Sequence, residues 1–311
     1  MPGGVAGVPG VMIRGPYADH GVGQTAGKSR HMEHRIQLRD GRHIGVCEHG
    51  PRSGKPVFWF VGTGGSRRWR PPVVGAAESL GVRLFVVERP GFGISDFLPG
   101  RQILDWPKDF EQVLDGLGIT RASIAGTSGA APFLCAVAAR LPDRCSQVAL
   151  IACVGPIEIM AKYLSMQRRA ILAVAARTPR LLEYALRKKS AEQVYRAMTK
   201  DAAFCDREVL DRPHVWQSQV EMFTDSLQNG NRGFAWELHI AARPWGFALN
   251  EIRVPMLIWH GMDDLAAPVE VARYIAKEVP TCSAELVERE GHFLHYNLWP
   301  EILRTLGQVE S

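Results

Sequence analysis

A hydroxyl, an imidazole and a carboxylate placed together can attack a carbonyl carbon and relay the proton released, and three short stretches of this 311-residue sequence offer them. The first is Ser123-Ile124-Ala125-Gly126-Thr127-Ser128-Gly129-Ala130, an apolar run that ends in Gly-x-Ser-x-small and leads into a helical pattern carrying Phe133, Leu134 and Val137. A nucleophile at such a strand-to-helix turn sits in strained backbone, so the positions two before and two after it must be small; Gly126 and Ala130 meet that demand. The turn lifts the Ser128 hydroxyl above the sheet and aims the Gly129 N–H at the same space, while Pro132 lies in the first helical turn, where its missing N–H does no harm. The second stretch is Gly261-Met262-Asp263-Asp264, directly after a strand ending near His260. An acid there suits the buried partner that orients a histidine, with Asp264 the first choice and Asp263 the second. The third is Glu290-Gly291-His292-Phe293, after the last strand; His292 is the candidate base and His295 its rival.

These stretches need a sheet to bring them together, and the hydrophobic pattern supplies one. Arg35 to Leu38 and Ile44 to Glu48 flank Asp40-Gly41, a hairpin signal. Short apolar runs at Val57 to Val61, Arg83 to Val87, Ala122 to Ala125, Gln147 to Cys153, Val254 to Trp259 and Ala284 to Val287 alternate with helical or loop stretches, as in a parallel sheet buried on both faces. A final helix is expected from about Pro300 to Leu306. Between about Gly155 and Asn250 strand signals vanish: Thr178-Pro179 reads as a helix start and Ser190 to Gln193 as a capping box. The domain expectation is therefore a core over 31–154 and 251–311 and a helical lid over 155–250. Residues 1–30, with eight Gly and three Pro and hardly any apolar period, are expected to be a disordered tail.

In chain order Ser128, Asp264 and His292 follow successive strands, and here the sequence resembles the α/β-hydrolase superfamily, over about residues 33 to 309. Glu88-Arg89-Pro90-Gly91-Phe92-Gly93-Ile94-Ser95 is similar to the family's Asp-Arg-Pro-Gly-x-Gly-x-Ser loop, and Leu141-Pro142-Asp143-Arg144 to its Tyr/Leu-Pro-Asp/Glu-Arg stretch. Val61-Gly62-Thr63-Gly64-Gly65-Ser66 is similar to its His-Gly-x-Pro-Gly oxyanion loop, with Val61 in place of the histidine. The resemblance implies a mostly parallel eight-stranded sheet flanked by helices, with an inserted helical lid. It also implies a Ser128–His292–Asp264 triad and an oxyanion hole made by the backbone N–H groups of Thr63 and Gly129. The implied activity is a serine hydrolase acting on a carboxylic ester through an acyl-enzyme. Thioester, amide or carbon–carbon hydrolysis and acyl transfer use the same triad, and a non-catalytic ligand-binding member of the fold is the rival of another class.

Composition bounds the rest. With 46% hydrophobic and 22% charged residues the chain is ordinary globular material, and no apolar run is long enough for a membrane helix. The start shows no secretory signal pattern, and six cysteines without paired spacing suggest reduced thiols; a cytoplasmic protein is expected. No zinc spacing and no dinucleotide fingerprint appears, so neither metal nor cofactor is expected. A net charge of +5 does not argue for nucleic acid. Residues 161–200 carry ten Lys and Arg against two Glu, which reads as a solvated face or as a lid that meets anionic surfaces or anionic substrates such as coenzyme A thioesters. Ser66-Arg67-Arg68-Trp69-Arg70 offers a substrate-carboxylate clamp or merely exposed arginines, and Trp236, Trp245 and Phe247 offer packing or ligand stacking.

Overall fold

A computed structural model describes residues 10–15, 31–72 and 75–308 of the chain. Its strands are β1 (Val11–Arg14), β2 (His31–Gln37), β3 (His43–His49), β4 (Lys55–Phe60), β5 (Val82–Val87), β6 (Ala122–Thr127), β7 (Cys145–Ile151), β8 (Met256–Gly261) and β9 (Cys282–Val287). They form one sheet in the order β1-β9-β8-β7-β6-β4-β5-β3-β2, in which β3 pairs antiparallel with β2 and β5 and every other pairing is parallel. The β2–β3 hairpin turns at Asp40-Gly41 with Gly41 at φ 87°, the left-handed region that glycine enters without steric cost. β4 shows why the central runs are apolar without alternation. Phe58 and Phe60 pack on one face against Phe85 and Phe110, while Trp59 on the other face stacks on Trp69 and meets Trp299 edge-on.

Helices cover both faces: α1 (Ala76–Ser79), α2 (Trp106–Gly116), α3 (Ala131–Arg140), then seven helices of the insertion, then α11 (Val269–Glu278) and α12 (His295–Gly307). The insertion comprises α4 (Ile157–Met160), α5 (Met166–Arg177), α6 (Pro179–Leu186), α7 (Ala191–Thr199), α8 (Phe204–Leu210), α9 (Pro213–Ser226) and α10 (Arg232–Ala241). At α7 the Ser190 hydroxyl accepts the Gln193 N–H and the Gln193 side chain accepts the Ser190 N–H, the reciprocal cap that the sequence predicts. The insertion has its own small core, in which Val194, Tyr195, Val215 and Phe223 meet Phe92 and Tyr296 of the main body.

Two expectations need correction. The sheet has nine strands, not eight, because Val11–Arg14, inside the segment expected to be a disordered tail, adds alongside β9. Its partner lies some 270 residues away, and Met12 and Ile13 stay exposed, so no amphipathic pattern marks it. Residues 1–9 and 16–30 of that tail lie outside the described residues. The last helix starts at His295 rather than near Pro300, which sits inside it. All six cysteines are free thiols, and no helix among the described residues is long and apolar enough to cross a membrane.

Candidate active site

The parallel strands β4, β6, β8 and β9 deliver their following loops to one rim of the sheet. Ser128 leaves β6 with φ 53°, a left-handed conformation costly for a residue with a Cβ, and starts the turn that becomes α3. The small neighbours are required: a Cβ on Gly126 would lie 2.2 Å from the Phe60 carbonyl oxygen and 2.9 Å from the Ala130 Cβ.

Asp264 and His292 meet as the sequence predicts. The His292 Nδ1–H donates to Asp264 Oδ2 at 2.7 Å, which leaves Nε2 as the basic nitrogen. The other carboxylate oxygen, Oδ1, accepts the N–H groups of Ala266 and Ala267, each at 2.8 Å. Burial opposes ionisation of Asp264, but the neighbouring His292 charge and these hydrogen bonds outweigh it and hold the carboxyl below its ordinary pKa. Burial likewise disfavours the His292 cation, and Asp264 more than compensates, so this imidazole titrates above the ordinary histidine value. The Asp263 side chain is exposed. His295 is buried against Trp59, Trp69 and Tyr296, and burial lowers its pKa to about 3, so it stays neutral and packs.

Ser128 and His292 line one cavity of about 180 Å³, together with Thr63, Tyr195, Phe223 and Phe293. No hydrogen bond joins the Ser128 hydroxyl to His292, a looseness common before substrate tightens such sites. The loop after β4 lies against the serine: a Cβ on Gly62 would be 3.2 Å from the Ser128 Cβ, and one on Gly129 would be 3.2 Å from the Thr63 nitrogen. Neither Thr63 nor Gly129 donates to a backbone carbonyl among the described residues, and Gly129 is in a first helical turn, where no intrahelical acceptor exists.

Several supporting residues carry no signal as isolated letters. With Val61 in place of a histidine, Arg89 braces the loop instead: its Nη1 and Nη2 donate to the carbonyls of Val61 and Gly62 at 2.6 and 3.2 Å. Arg89 is itself held in a bidentate pair with the fully buried Glu237 of α10, at 2.6 and 2.8 Å. Glu88 accepts the Arg67 N–H and guanidinium, the Ile94 N–H and the Ser95 hydroxyl, which closes the Glu88–Ser95 loop; a Cβ on Gly93 would strike that carboxylate. His260 is fully buried, which lowers its pKa, and its Nε2–H donates to the Ala267 carbonyl at 2.7 Å, backing the Asp264 loop.

Of the remaining candidates only Trp69, among the described residues, reaches the cavity. Arg67 is buried among Glu33, Glu88 and Asp225, and Arg70 pairs with Glu221 on α9; neither lines the cavity, although Trp69 does. Trp236 donates to the Arg101 carbonyl, while Trp245 and Phe247 pack on the main core. Among the described residues no group of His, Cys, Asp and Glu is arranged to hold a metal ion.

A strained serine after one parallel strand, with an Asp–His pair on the two strand ends beyond, belongs to a known architecture. The family model described as alpha/beta hydrolase fold matches residues 56–301, and the chain belongs to that family. Among curated proteins it is similar to the 2-hydroxy-6-oxononadienedioate/2-hydroxy-6-oxononatrienedioate hydrolase of Paraburkholderia phymatum, 27% identical over 228 residues, 72% of this chain and 74% of that one. The hydrolase of the same name from Cupriavidus pinatubonensis is 26% identical over 282 residues, 86% of this chain and 88% of that one. Among solved structures it is similar to a thermophilic esterase from Thermogutta terrifontis, with TM-score 0.68, 19% identity and coverage of 88% and 96%. The enol-lactonase from Burkholderia xenovorans LB400 gives TM-score 0.62, 22% identity and coverage of 88% and 97%. The protein is thus an α/β-fold hydrolase by family.

Proposed function

We propose that the protein is a serine hydrolase that cleaves a carboxylic ester through a Ser128–His292–Asp264 triad. The observation that carries this is the 2.7 Å Asp264–His292 bond, which points the basic Nε2 away from Asp264, beside a left-handed serine in the same cavity. In the first half-reaction His292 Nε2 takes the Ser128 proton as the oxygen bonds to the ester carbon. The N–H groups of Thr63 and Gly129 receive the oxyanion, and each is worth about 10²–10³ in rate when aligned. Collapse breaks the bond to the alcohol oxygen, which takes its proton from His292. Water then attacks the acyl-enzyme, gives a proton to His292, and the acid leaves as that proton returns to Ser128. Asp264 stays ionised and fixes the tautomer throughout.

A fluorophosphonate probe tests this. Labelling is expected in the parent protein and lost in Ser128→Ala, with turnover of a short-chain aryl ester down about 10³-fold or more. Labelling that survives Ser128→Ala would remove the assignment, and tight ligand binding without labelling would favour a binding protein of the same fold.

A second bond type is favoured by the curated relatives. Their named substrates are dicarboxylates with hydroxyl and oxo groups and no ester, so their hydrolysis must break a carbon–carbon bond beside a ketone. Among the described residues Arg168 is the sole Lys or Arg lining the cavity, so one substrate carboxylate at most finds a cation there, which favours the ester. Comparing kcat/KM for aryl esters, thioesters and a 2-hydroxy-6-oxo-dienoate separates the three.

We infer in addition that the outer face of α5–α7 meets anionic amphiphile surfaces. Met166, Ile171, Val174, Leu181 and Tyr184 are exposed among the basic residues of 161–200, of which, among the described residues, only Arg196 has a carboxylate partner, Glu192. A second copy of the chain would set like charge against like charge, whereas an anionic surface complements it. Arg168 and Met198, from the same helices, line the cavity. Binding to vesicles containing phosphatidylglycerol, abolished by high salt and by Leu181→Glu, is expected; equal binding to neutral phosphatidylcholine vesicles, or dimerisation through this face, would overturn it.

A further inference from the structure

The loop that carries His292 is held from two sides. Below, the Asp263 N–H donates to the Glu290 carbonyl at 3.0 Å, and Arg289 sits at φ 59°, a conformation that must be held in place by its surroundings. Above, a side chain of the insertion reaches in. Asp206 of α8 is 2% exposed, and its Oδ1 accepts the Phe293 N–H at 2.8 Å, one residue past the imidazole. The seat is shaped for it: a Cβ on Gly291 would lie 2.4 Å from both Asp206 oxygens, so only glycine there leaves room for the carboxylate. Asp206 also lines the cavity that Ser128 and His292 share.

We propose that Asp206 is a positioning residue for His292. By fastening the backbone at residue 293 and packing against Gly291, on either side of the imidazole, it makes a correctly aimed imidazole conditional on the insertion being seated on the core. The inference rests on His292 acting as the general base, and it adds a link that the triad alone does not contain. Such a link is physically consequential because a misplacement of about 1 Å in a reacting group can cost about 10²-fold in rate. The carboxylate has a second effect, since its negative charge helps hold the His292 cation. The groups facing that imidazole are Asp264 from the loop after β8, Asp206 from α8, Arg168 from α5, which opposes them, and the neutral His260 and His295. Around Asp206 itself stand His292, Asp264, Glu290 and the hydroxyl of Tyr195.

The test uses the whole protein with Asp206→Asn, Asp206→Ala, Asp206→Gly, Gly291→Ala and the double variant Asp206→Gly/Gly291→Ala. Asp206→Asn keeps an acceptor and the shape, and is expected to lower kcat about 3–10-fold and to move the acidic limb of kcat/KM down in pH. Asp206→Ala is expected to lower kcat by about 10²-fold with KM changed less than about threefold. Gly291→Ala should damage the parent but cost nothing further in the Asp206→Gly background, where the carboxylate it strikes is gone. A merely structural role would lower stability without moving the pH limb. Amide hydrogen exchange at His292 and Phe293 and the His292 titration by NMR report the same link without any turnover, so they separate failure of this link from failure of the hydrolase assignment. Unchanged amide protection and an unmoved His292 titration in Asp206→Ala, or additive losses in the double variant, would overturn the proposal.

Discussion

Among single side chains the division of labour between adjacent acids is the sharpest feature. Asp264 is buried, takes two backbone N–H groups on one oxygen and the imidazole on the other, whereas Asp263 points to solvent. Asp264→Asn replaces the acceptor facing Nδ1–H with a group that can equally donate, so the wrong tautomer is favoured; kcat is expected to fall about 10³–10⁴-fold, while Asp263→Asn changes it less than about threefold. Comparable losses in the two variants would move the role by one residue. The pH dependence follows from the same geometry. Since Asp264 raises the His292 pKa and the proposed mechanism needs the neutral base, kcat/KM is expected to rise with pH through an apparent pKa above about 6.5, the ordinary histidine value. A limb centred below that value would contradict the close Asp264–His292 pair.

Between secondary elements the cavity is held by a buried ionic tie. Arg89, in the loop after β5, grips the carbonyls of Val61 and Gly62 after β4 and the Glu237 carboxylate on α10, where Arg101 adds a third contact at 3.2 Å. The backbones of the two parts touch as well: a Cβ on Gly233 of α10 would lie 2.1 Å from the Gly91 carbonyl oxygen. Arg89→Met leaves Glu237 buried with only Arg101 opposite it, and urea unfolding should show a loss of about 3–5 kcal/mol. Arg89→Lys keeps the charge but lacks the planar fork that serves two carbonyls and a carboxylate together. It is expected to fold, with kcat reduced about tenfold or more as the Thr63 N–H, the proposed oxyanion donor, loses its aim. Full kcat in Arg89→Lys would show that the loop does not need this brace.

For the molecule as a whole, the price of burying or half-burying imidazoles is sensitivity to acid. Burial lowers His295 to about 3 and His49 to about 4, and it also lowers His260. For each, the unfolded chain binds a proton below about pH 6.5 that the native state refuses, so stability falls as pH drops from there toward the folded pKa. Glu88, Asp206 and Glu290, which burial raises, act in the opposite sense over their own range, so a difference measurement isolates the histidine. His295→Phe, which keeps an aromatic ring beside Trp69 and Tyr296, is expected to gain on the parent by about 1.4 kcal/mol per pH unit between about pH 6 and 4. Parallel pH–stability curves for the two proteins would refute the assignment of a neutral buried His295.

Much of this was legible in one dimension, and the boundary has a physical basis. Strand and helix positions show in short apolar runs and caps because burial and backbone hydrogen bonding act locally. The Gly126-x-Ser128-x-Ala130 turn shows because strain at one φ restricts its immediate neighbours, and the order of Ser128, Asp264 and His292 shows because each follows a strand. Contacts between distant segments leave no such trace. The pairing of Val11–Arg14 with β9, the choice of Asp264 over its neighbour, the Arg89–Glu237 tie and the Asp206 clamp on the His292 loop each depend on chain packing in three dimensions. In the sequence Asp206 and Glu237 look like ordinary surface charge until folding removes the water around them and leaves a partner within reach.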